Sequence, residues 1–119
     1  MVVSRAVREQ VQTLLPGERI EYLLPAVVPD SISANVYVVV TARWFTVLSV
    51  AFSSRSRPRR VIARYPRNTP VGEPERNGGV PGFTLGGRLY EVDDADLAIV
   101  SALHRASSGQ ADLPPDPLG

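Results

Sequence analysis

Two neighbouring segments of this chain, Val36–Thr41 and Trp44–Phe52, consist largely of β-branched and aromatic residues. Residues of these types favour β-strands, and two strands so close in sequence pair as an antiparallel hairpin. Only Ala42 and Arg43 separate them, which predicts a two-residue turn, or one a residue longer because Gly and Asn are missing there. The two-residue turn pairs Thr41 with Trp44, Val40 with Phe45, and Val38 with Val47. We therefore expect a fold built around an antiparallel sheet.

The second of these strands is apolar on both of its faces. Alternation along a strand places its side chains on opposite sides of the sheet. One side carries Trp44, Leu48, Val50 and Phe52, and the other carries Phe45, Val47 and Ala51. A strand that is apolar on two sides is covered twice. We expect the core on one side and a helix or a partner on the other.

A helix is predicted near each end of the chain. Val3–Leu15 has apolar residues at a helical period, with Ser4 as a possible cap and Pro16-Gly17 as a stop. Asp93 is the expected cap of a second helix, whose buried stripe is Ala95, Ile99, Ala102, Leu103 and Ala106. Residues 107–119 hold three prolines and two glycines. That composition predicts a disordered tail.

Several weaker strand signals lie between these elements. Glu18–Val28 is extended in pattern, and Pro25 cannot donate to a ladder, so we expect an edge or interrupted strand. Val61–Tyr65 is a short strand, and another is possible around Thr69–Gly72. Between that segment and the next hairpin, the Pro- and Gly-containing residues of Glu73–Gly79 predict a mobile loop.

Residues 83–92 carry a second hairpin signal. The dipeptide Gly86-Gly87 accepts the positive φ angles of a type I′ turn. A two-residue loop pairs Leu85 with Arg88 and Phe83 with Tyr90. The core face of this hairpin is then Phe83, Leu85, Tyr90 and Val92, with Arg88 near its rim.

Four segments in this order resemble bacterial pleckstrin-homology-like (PH-like) domains, especially the short actinobacterial versions. They are residues 14–18 (LLPGE), 39–43 (VVTAR), 60–67 (RVIARYPR) and 85–90 (LGGRLY). The resemblance covers residues 14–106; Ala42 departs from it, since such domains often carry aspartate in that turn. It implies an α+β, mainly β fold: a partly open, bent barrel of about seven antiparallel strands with a C-terminal capping helix. The N-terminal helix is an addition.

The chain length and the helix pattern, together with this resemblance, suggest a domain plan, and the resemblance implies a class of function. A single domain spans residues 1–106, with the N-terminal helix at 1–15, the barrel at 18–92 and the capping helix at 93–106. Similar domains are mostly binding modules of unknown ligand. The resemblance supplies no catalytic residue, no cofactor and no lipid specificity.

The charge distribution indicates where a partner binds. The net charge is only +1, yet the stretch from Ser31 to Gly72 contains seven arginines and no acid. A local field steers association even where the net charge is small. The candidate anion- or lipid-binding residues are Arg55, Arg57, Arg59, Arg60, Arg64 and Arg67. The alternative is a solvated loop that keeps a sheet edge from pairing with other chains.

Other chemistries find little support in the sequence. Cysteine is absent, which excludes disulfides and thiolate metal sites, and His104 is the single histidine. Asp93, Asp94 and Asp96 lack the spacing of a calcium loop and are read as helix-capping residues. Residues 31–54 are long enough to span a bilayer, but Arg43 near the middle and the β-branched content oppose a membrane helix.

These observations favour a cytoplasmic, non-catalytic interaction module that binds a protein partner or self-associates. The doubly apolar strand and the amphipathic N-terminal helix motivate this hypothesis. The alternative is peripheral binding to anionic lipid headgroups at the inner face of the membrane through the arginines. Nucleic acid is disfavoured because only Tyr65 lies among the arginines as a stacking residue. An enzyme built around His104 and a carboxylate is a third, weaker hypothesis.

Overall fold

The computed structural model describes residues 4–29, 31, 34–50 and 57–107, and it has two α-helices and seven strands there. The helices are α1 (Arg5–Leu14) and α2 (Leu97–Ser107), the latter preceded by a 3₁₀ turn at Asp94–Asp96. The strands are β1 (Tyr22–Val27), β2 (Asn35–Val40), β3 (Trp44–Val50), β4 (Pro58–Pro66), β5 (Glu75–Asn77), β6 (Val80–Leu85) and β7 (Arg88–Glu91). Ala51, Phe52 and the predicted tail lie outside the described residues.

All seven strands belong to one antiparallel sheet with the order β4-β3-β2-β1-β7-β6-β5. This confirms the predicted fold class: α+β, mainly β, with an open sheet and a helix at each end of the chain. β1 lies inside the sheet, but it joins β7 only through the pair Val27 and Glu91. Most of β1 pairs with β2 alone, which agrees in part with the predicted edge strand, whereas the strand is not interrupted between Tyr22 and Val27.

Both predicted hairpins have the expected register. Val40 faces Phe45 and Val38 faces Val47 in the first hairpin. Phe83 faces Tyr90 and Leu85 faces Arg88 in the second. At the tip of the second, Gly86 and Gly87 have φ angles of 60° and 79°, which side-chain-bearing residues rarely adopt.

The sheet bends so that its two halves share a core. Residues of β1, β2 and β3 pack together with residues of β6, β7 and α2 in one buried cluster, which includes Phe45, Phe83 and Tyr90. Tyr65 of β4 reaches the β6–β7 turn, where a Cβ added to Gly86 would lie 2.2 Å from the Cε1 atom of Tyr65. Strands that are distant in the sheet order therefore meet face to face.

Helix α1 covers the outer face of β1, β2 and β3. Its buried residues Val7 and Val11 form a second cluster with Leu15 and with the outward side chains of the sheet. Leu48 and Val50 of β3 belong to this cluster, while Phe45 and Val47 belong to the first. The doubly apolar strand is thus covered on both sides by the chain itself. Ser4 caps α1 as predicted, since its Oγ accepts a hydrogen bond from the Val7 amide at 3.3 Å.

Two local predictions were wrong, and a third was right only in part. Glu73–Gly79 holds the strand β5 and its turn, where only a loop was predicted. The segment around Thr69–Gly72 forms a single bridge, from Val71 to Leu85, and no strand. The predicted buried stripe of α2 is confirmed at Leu103, and Ile99 packs against the core, but Val100 is also buried and Ala95 is exposed. Ala95 lies in the 3₁₀ turn before α2 and not in the helix.

Candidate docking surface on strand β4

Strand β4 lies at one end of the sheet and contains Arg59, Arg60 and Arg64 from the predicted cluster, with Arg57 directly before it and Arg67 directly after it. It is nine residues long, where only Val61–Tyr65 was predicted. One side pairs with β3, from Trp44 opposite Pro66 to Val50 opposite Pro58, with two register shifts along the way. No strand in the described part of the chain pairs with its other side. Among the described residues, the peptide groups along that side have no strand partner, although α1 lies close to β4.

The C-terminal end of β4 is tied to the start of β1 by two arginines. Arg64 Nη2 donates to Glu18 Oε1 at 2.6 Å, and the guanidinium lies 4.7 Å from the centre of the Trp44 ring. Its side chain is only partly exposed. This geometry combines a short ion pair with a cation–π contact. Arg64 therefore acts as a structural residue.

Arg67 makes a similar set of contacts nearby. Its Nε donates to the carbonyl of Thr41 at 3.2 Å, and its Nη2 lies 3.6 Å from Glu21 Oε1. The guanidinium is 5.2 Å from the centre of the Phe45 ring. The two arginines that sequence analysis grouped with the binding cluster thus have carboxylate partners from the segment before β1.

The arginines at the N-terminal end of β4 differ. Arg57, Arg59 and Arg60 are exposed, and no described carboxylate oxygen lies within 4.0 Å of them. Arg55 lies outside the described residues. The predicted cluster is therefore divided into arginines with carboxylate partners, after the middle of β4, and arginines without a described carboxylate partner, at its start.

Two apolar side chains adjoin the unpaired group, and sequence analysis did not single them out. Val61 is 39% exposed and Ile62 is 42% exposed, although both are strong strand formers. Val61 pairs with Leu48 of β3. Next to this pair the register shifts, because β4 has one residue more than β3 there. We call Arg57, Arg59, Arg60, Val61 and Ile62 the β4 surface. It combines positive charge, apolar contact area and a strand edge that no described strand covers.

The other candidate residues have structural partners. The Nδ1 atom of His104 lies 2.8 Å from the Val71 carbonyl oxygen, and the Val71 amide donates to Ser107 Oγ at 3.0 Å. These contacts hold the end of α2 against the segment that follows β4. Arg76 of β5 forms an ion pair with Asp94.

Asp96 is the one carboxyl group of the acidic segment that is buried, with 6% of its surface exposed. Its Oδ2 atom has no hydrogen-bond partner among the described residues. Burial, together with the charge of Asp93, raises the pKa of this carboxyl group. Within the described ranges, no cluster of three or more His, Asp or Glu side chains is arranged to hold a metal ion.

Comparison with other proteins gives no family. The sequence matches no protein-family model, and no curated protein matches it. In the described chain, neither helix has the length and apolar character needed to cross a bilayer.

Proposed function

We propose that this chain is a cytoplasmic, non-catalytic interaction module of the PH-like type, and that it binds a protein partner through the β4 surface. The sheet order, the open bent sheet and the helix that follows the last strand support the PH-like assignment. The observation that carries the function is the outer edge of β4, which pairs with no described strand and carries Val61 and Ile62 beside arginines that have no described carboxylate partner.

The chemistry of the β4 surface favours an extended acidic segment as the bound part of the partner. A peptide that adds to a sheet edge gains main-chain hydrogen bonds, and its side chains contact alternate positions of the edge strand. Acidic side chains on the peptide complement Arg57, Arg59 and Arg60. Apolar side chains contact Val61 and Ile62. Charge complementarity of this kind speeds association and rejects basic segments.

Self-association through β4 is the weaker version of this proposal. Two β4 strands paired about a two-fold axis place like-charged arginines close together, which opposes binding. The other two surfaces that suggested self-association, β3 and α1, pack on each other within one chain. A second protein of opposite charge fits the β4 surface better.

Anionic membrane lipid is the second candidate, and the unpaired arginines favour it. Each arginine near an anionic surface contributes about 1 kcal/mol. Insertion of Val61 and Ile62 into the apolar layer, however, carries the unpaired peptide groups of an edge strand with it. Open sheet edges do not occur in the hydrocarbon region because their polar groups lose their hydrogen bonds to water. A peptide satisfies these groups, so we place the protein partner first.

Site-specific photocrosslinking in the organism that makes the protein tests this function. A photoreactive amino acid replaces Ile62, and a control replaces Arg76 on β5, the strand at the other end of the sheet. We expect one discrete protein adduct from position 62 and none of that mass from position 76. The crosslinked peptide, sequenced by mass spectrometry, is expected to be rich in Asp and Glu.

The double substitution Arg59→Glu, Arg60→Glu is combined with the probe at position 62. It should abolish the adduct without unfolding the chain, since both residues are exposed. An adduct that survives the charge reversal contradicts the proposal, as does the absence of any protein adduct at position 62. A lipid adduct at position 62 supports the membrane candidate instead.

A further inference from the structure

An open cleft lies on a different part of the molecule, between the α1–β1 connection and the β2–β3 turn. Its volume is ≈ 500 Å³, and its walls include Glu18, Arg19, Arg43 and Trp44. This volume is within the range of small-molecule sites. None of these four residues belongs to the β4 surface.

The cleft has an excess of positive charge. Arg19 and Arg43 are both exposed, and no described carboxylate oxygen lies within 4.0 Å of either guanidinium. Glu18 also lines the cleft, but its Oε1 atom is engaged by Arg64 at 2.6 Å. Glu18 therefore does not balance the charge of the two arginines, because Arg64 already binds it.

Trp44 gives the cleft an aromatic wall whose position is fixed. Trp44 exposes 36% of its surface to solvent. The Arg64 guanidinium lies 4.7 Å from the ring centre, and the Trp44 amide donates to Thr41 Oγ1 at 3.3 Å. Because Arg64 is itself held by Glu18, the ring is pre-organised, and binding costs less conformational entropy at a pre-organised group.

We propose that this cleft binds a small phosphate monoester that carries a planar ring. Arginine presents several donors in a planar fork that matches the oxygens of a phosphate, so Arg19 and Arg43 bind that group. The planar ring of the ligand lies beside Trp44. A nucleoside monophosphate and phosphotyrosine share this chemistry, and the two are separated by experiment. The inference goes beyond the proposed function and uses different residues.

Fluorescence of Trp44 reports on the cleft directly, because the chain has only one tryptophan. The full chain is titrated with AMP and, separately, with O-phosphotyrosine. The matched controls are adenosine, which lacks the phosphate, inorganic phosphate, which lacks the ring, and cyclic AMP, whose phosphodiester has one negative charge less. We expect saturable binding of AMP or of O-phosphotyrosine, and weaker binding of all three controls. The tighter of the two ligands identifies the source.

Substitution of the two arginines completes the test. Arg19→Ala and Arg43→Ala should each raise the dissociation constant about tenfold, which corresponds to the loss of one charge-assisted hydrogen bond. Arg60→Ala, an exposed arginine outside the cleft, should leave it unchanged. Amide chemical shifts of Gly17 and Ala42 in NMR spectra provide a second readout.

Two results overturn the inference. One is the absence of any change in Trp44 fluorescence and in the NMR shifts with millimolar AMP and O-phosphotyrosine. The other is unchanged affinity in both arginine variants. The substitutions Arg59→Glu, Arg60→Glu lie outside the cleft and do not change it. The titration and the photocrosslinking experiment therefore test different residues, and either proposal can fail while the other stands.

Discussion

The two ends of strand β4 carry the same type of residue in opposite situations. Arg64 and Arg67, at the C-terminal end, lie against aromatic rings and bind Glu18 and Glu21. Arg57, Arg59 and Arg60, at the N-terminal end, have no carboxylate partner among the described residues. One end is tied to the segment before β1, while the other has no such contact in the described chain and is the end that we propose as the docking site. The contrast shows that arginines close together in sequence can have different structural roles.

The largest effect on stability is expected from a substitution in the β6–β7 turn, on which Tyr65 packs. Tyr65 lies between Arg64 and Arg67 on the chain. Gly86→Ala puts a methyl group 2.2 Å from the Tyr65 ring and forces an alanine to φ 60°. Overpacking and a left-handed conformation together should lower the free energy of unfolding by about 3 kcal/mol. Chemical denaturation with urea measures this.

Gly87→Ala is the matched control for that substitution. Gly87 also has a positive φ angle, of 79°, but nothing lies within 4 Å of an added Cβ. Only the backbone cost of about 1 kcal/mol is expected. Equal losses in the two variants would show that the contact between Tyr65 and the turn does not hold the two halves together.

Arg64→Ala and Arg60→Ala compare the contributions of the two ends of β4 to stability. The substitution removes the bond to Glu18 and the contact with Trp44, and we expect a loss of about 1 to 2 kcal/mol in unfolding free energy. Arg60→Ala should change that quantity by less than about 0.5 kcal/mol, as is usual for an exposed residue. Similar values for the two variants would remove the distinction between the ends of β4.

A smaller, pH-dependent effect is expected at the start of α2, where Asp94 is paired on the surface and Asp96 is buried. Burial raises the pKa of Asp96 above its ordinary value of 3.8, so the folded state holds this proton more tightly than the unfolded state. Stability contributed by the protonated form is present below pH 3.8 and is lost as the pH rises through the raised pKa. Asp96→Asn should therefore gain stability relative to the parent chain as the pH increases over this range.

Denaturation curves at a series of pH values measure this difference. Asp94→Asn is the control, since that side chain is exposed and bound to Arg76. A difference between the Asp96→Asn variant and the parent chain that stays constant with pH would contradict the assigned pKa direction.

The smallest effect on stability is expected from Arg59→Glu, Arg60→Glu. Neither residue has a described ion-pair partner to lose, and both side chains face water. Unfolding free energy should change by less than about 0.5 kcal/mol per residue. A clear loss in urea denaturation would mean that these arginines also support the fold.

The local parts of the fold could be predicted from the sequence. Both hairpins follow from short-range patterns, a two-residue turn between β-branched runs and the pair Gly86-Gly87. Both faces of β3 are apolar, and the prediction that a second element packs on the strand opposite the core was correct. The pattern did not say that α1 provides this cover, because contacts between a helix and a distant strand leave no local signal.

The missed features are those that depend on long-range contacts. Arg64 and Glu18 are 46 residues apart in the chain, so their pairing was invisible to an analysis of neighbouring charges. Strand β5 has the sequence Glu-Arg-Asn, which lacks the β-branched residues that indicate a strand, and it forms because β6 pairs with it. The exposure of Val61 and Ile62 follows from the end position of β4, which only the sheet order reveals.

The most direct test of the account compares two charge reversals, Arg59→Glu, Arg60→Glu and Arg64→Glu, Arg67→Glu, in chains with the photoreactive residue at position 62. Adduct yield and unfolding free energy are measured for each. We expect the Arg59→Glu, Arg60→Glu variant to lose the adduct and keep its stability, and the Arg64→Glu, Arg67→Glu variant to lose stability. An adduct that persists in the first pair, at full stability, would contradict the assignment of β4 as the docking strand.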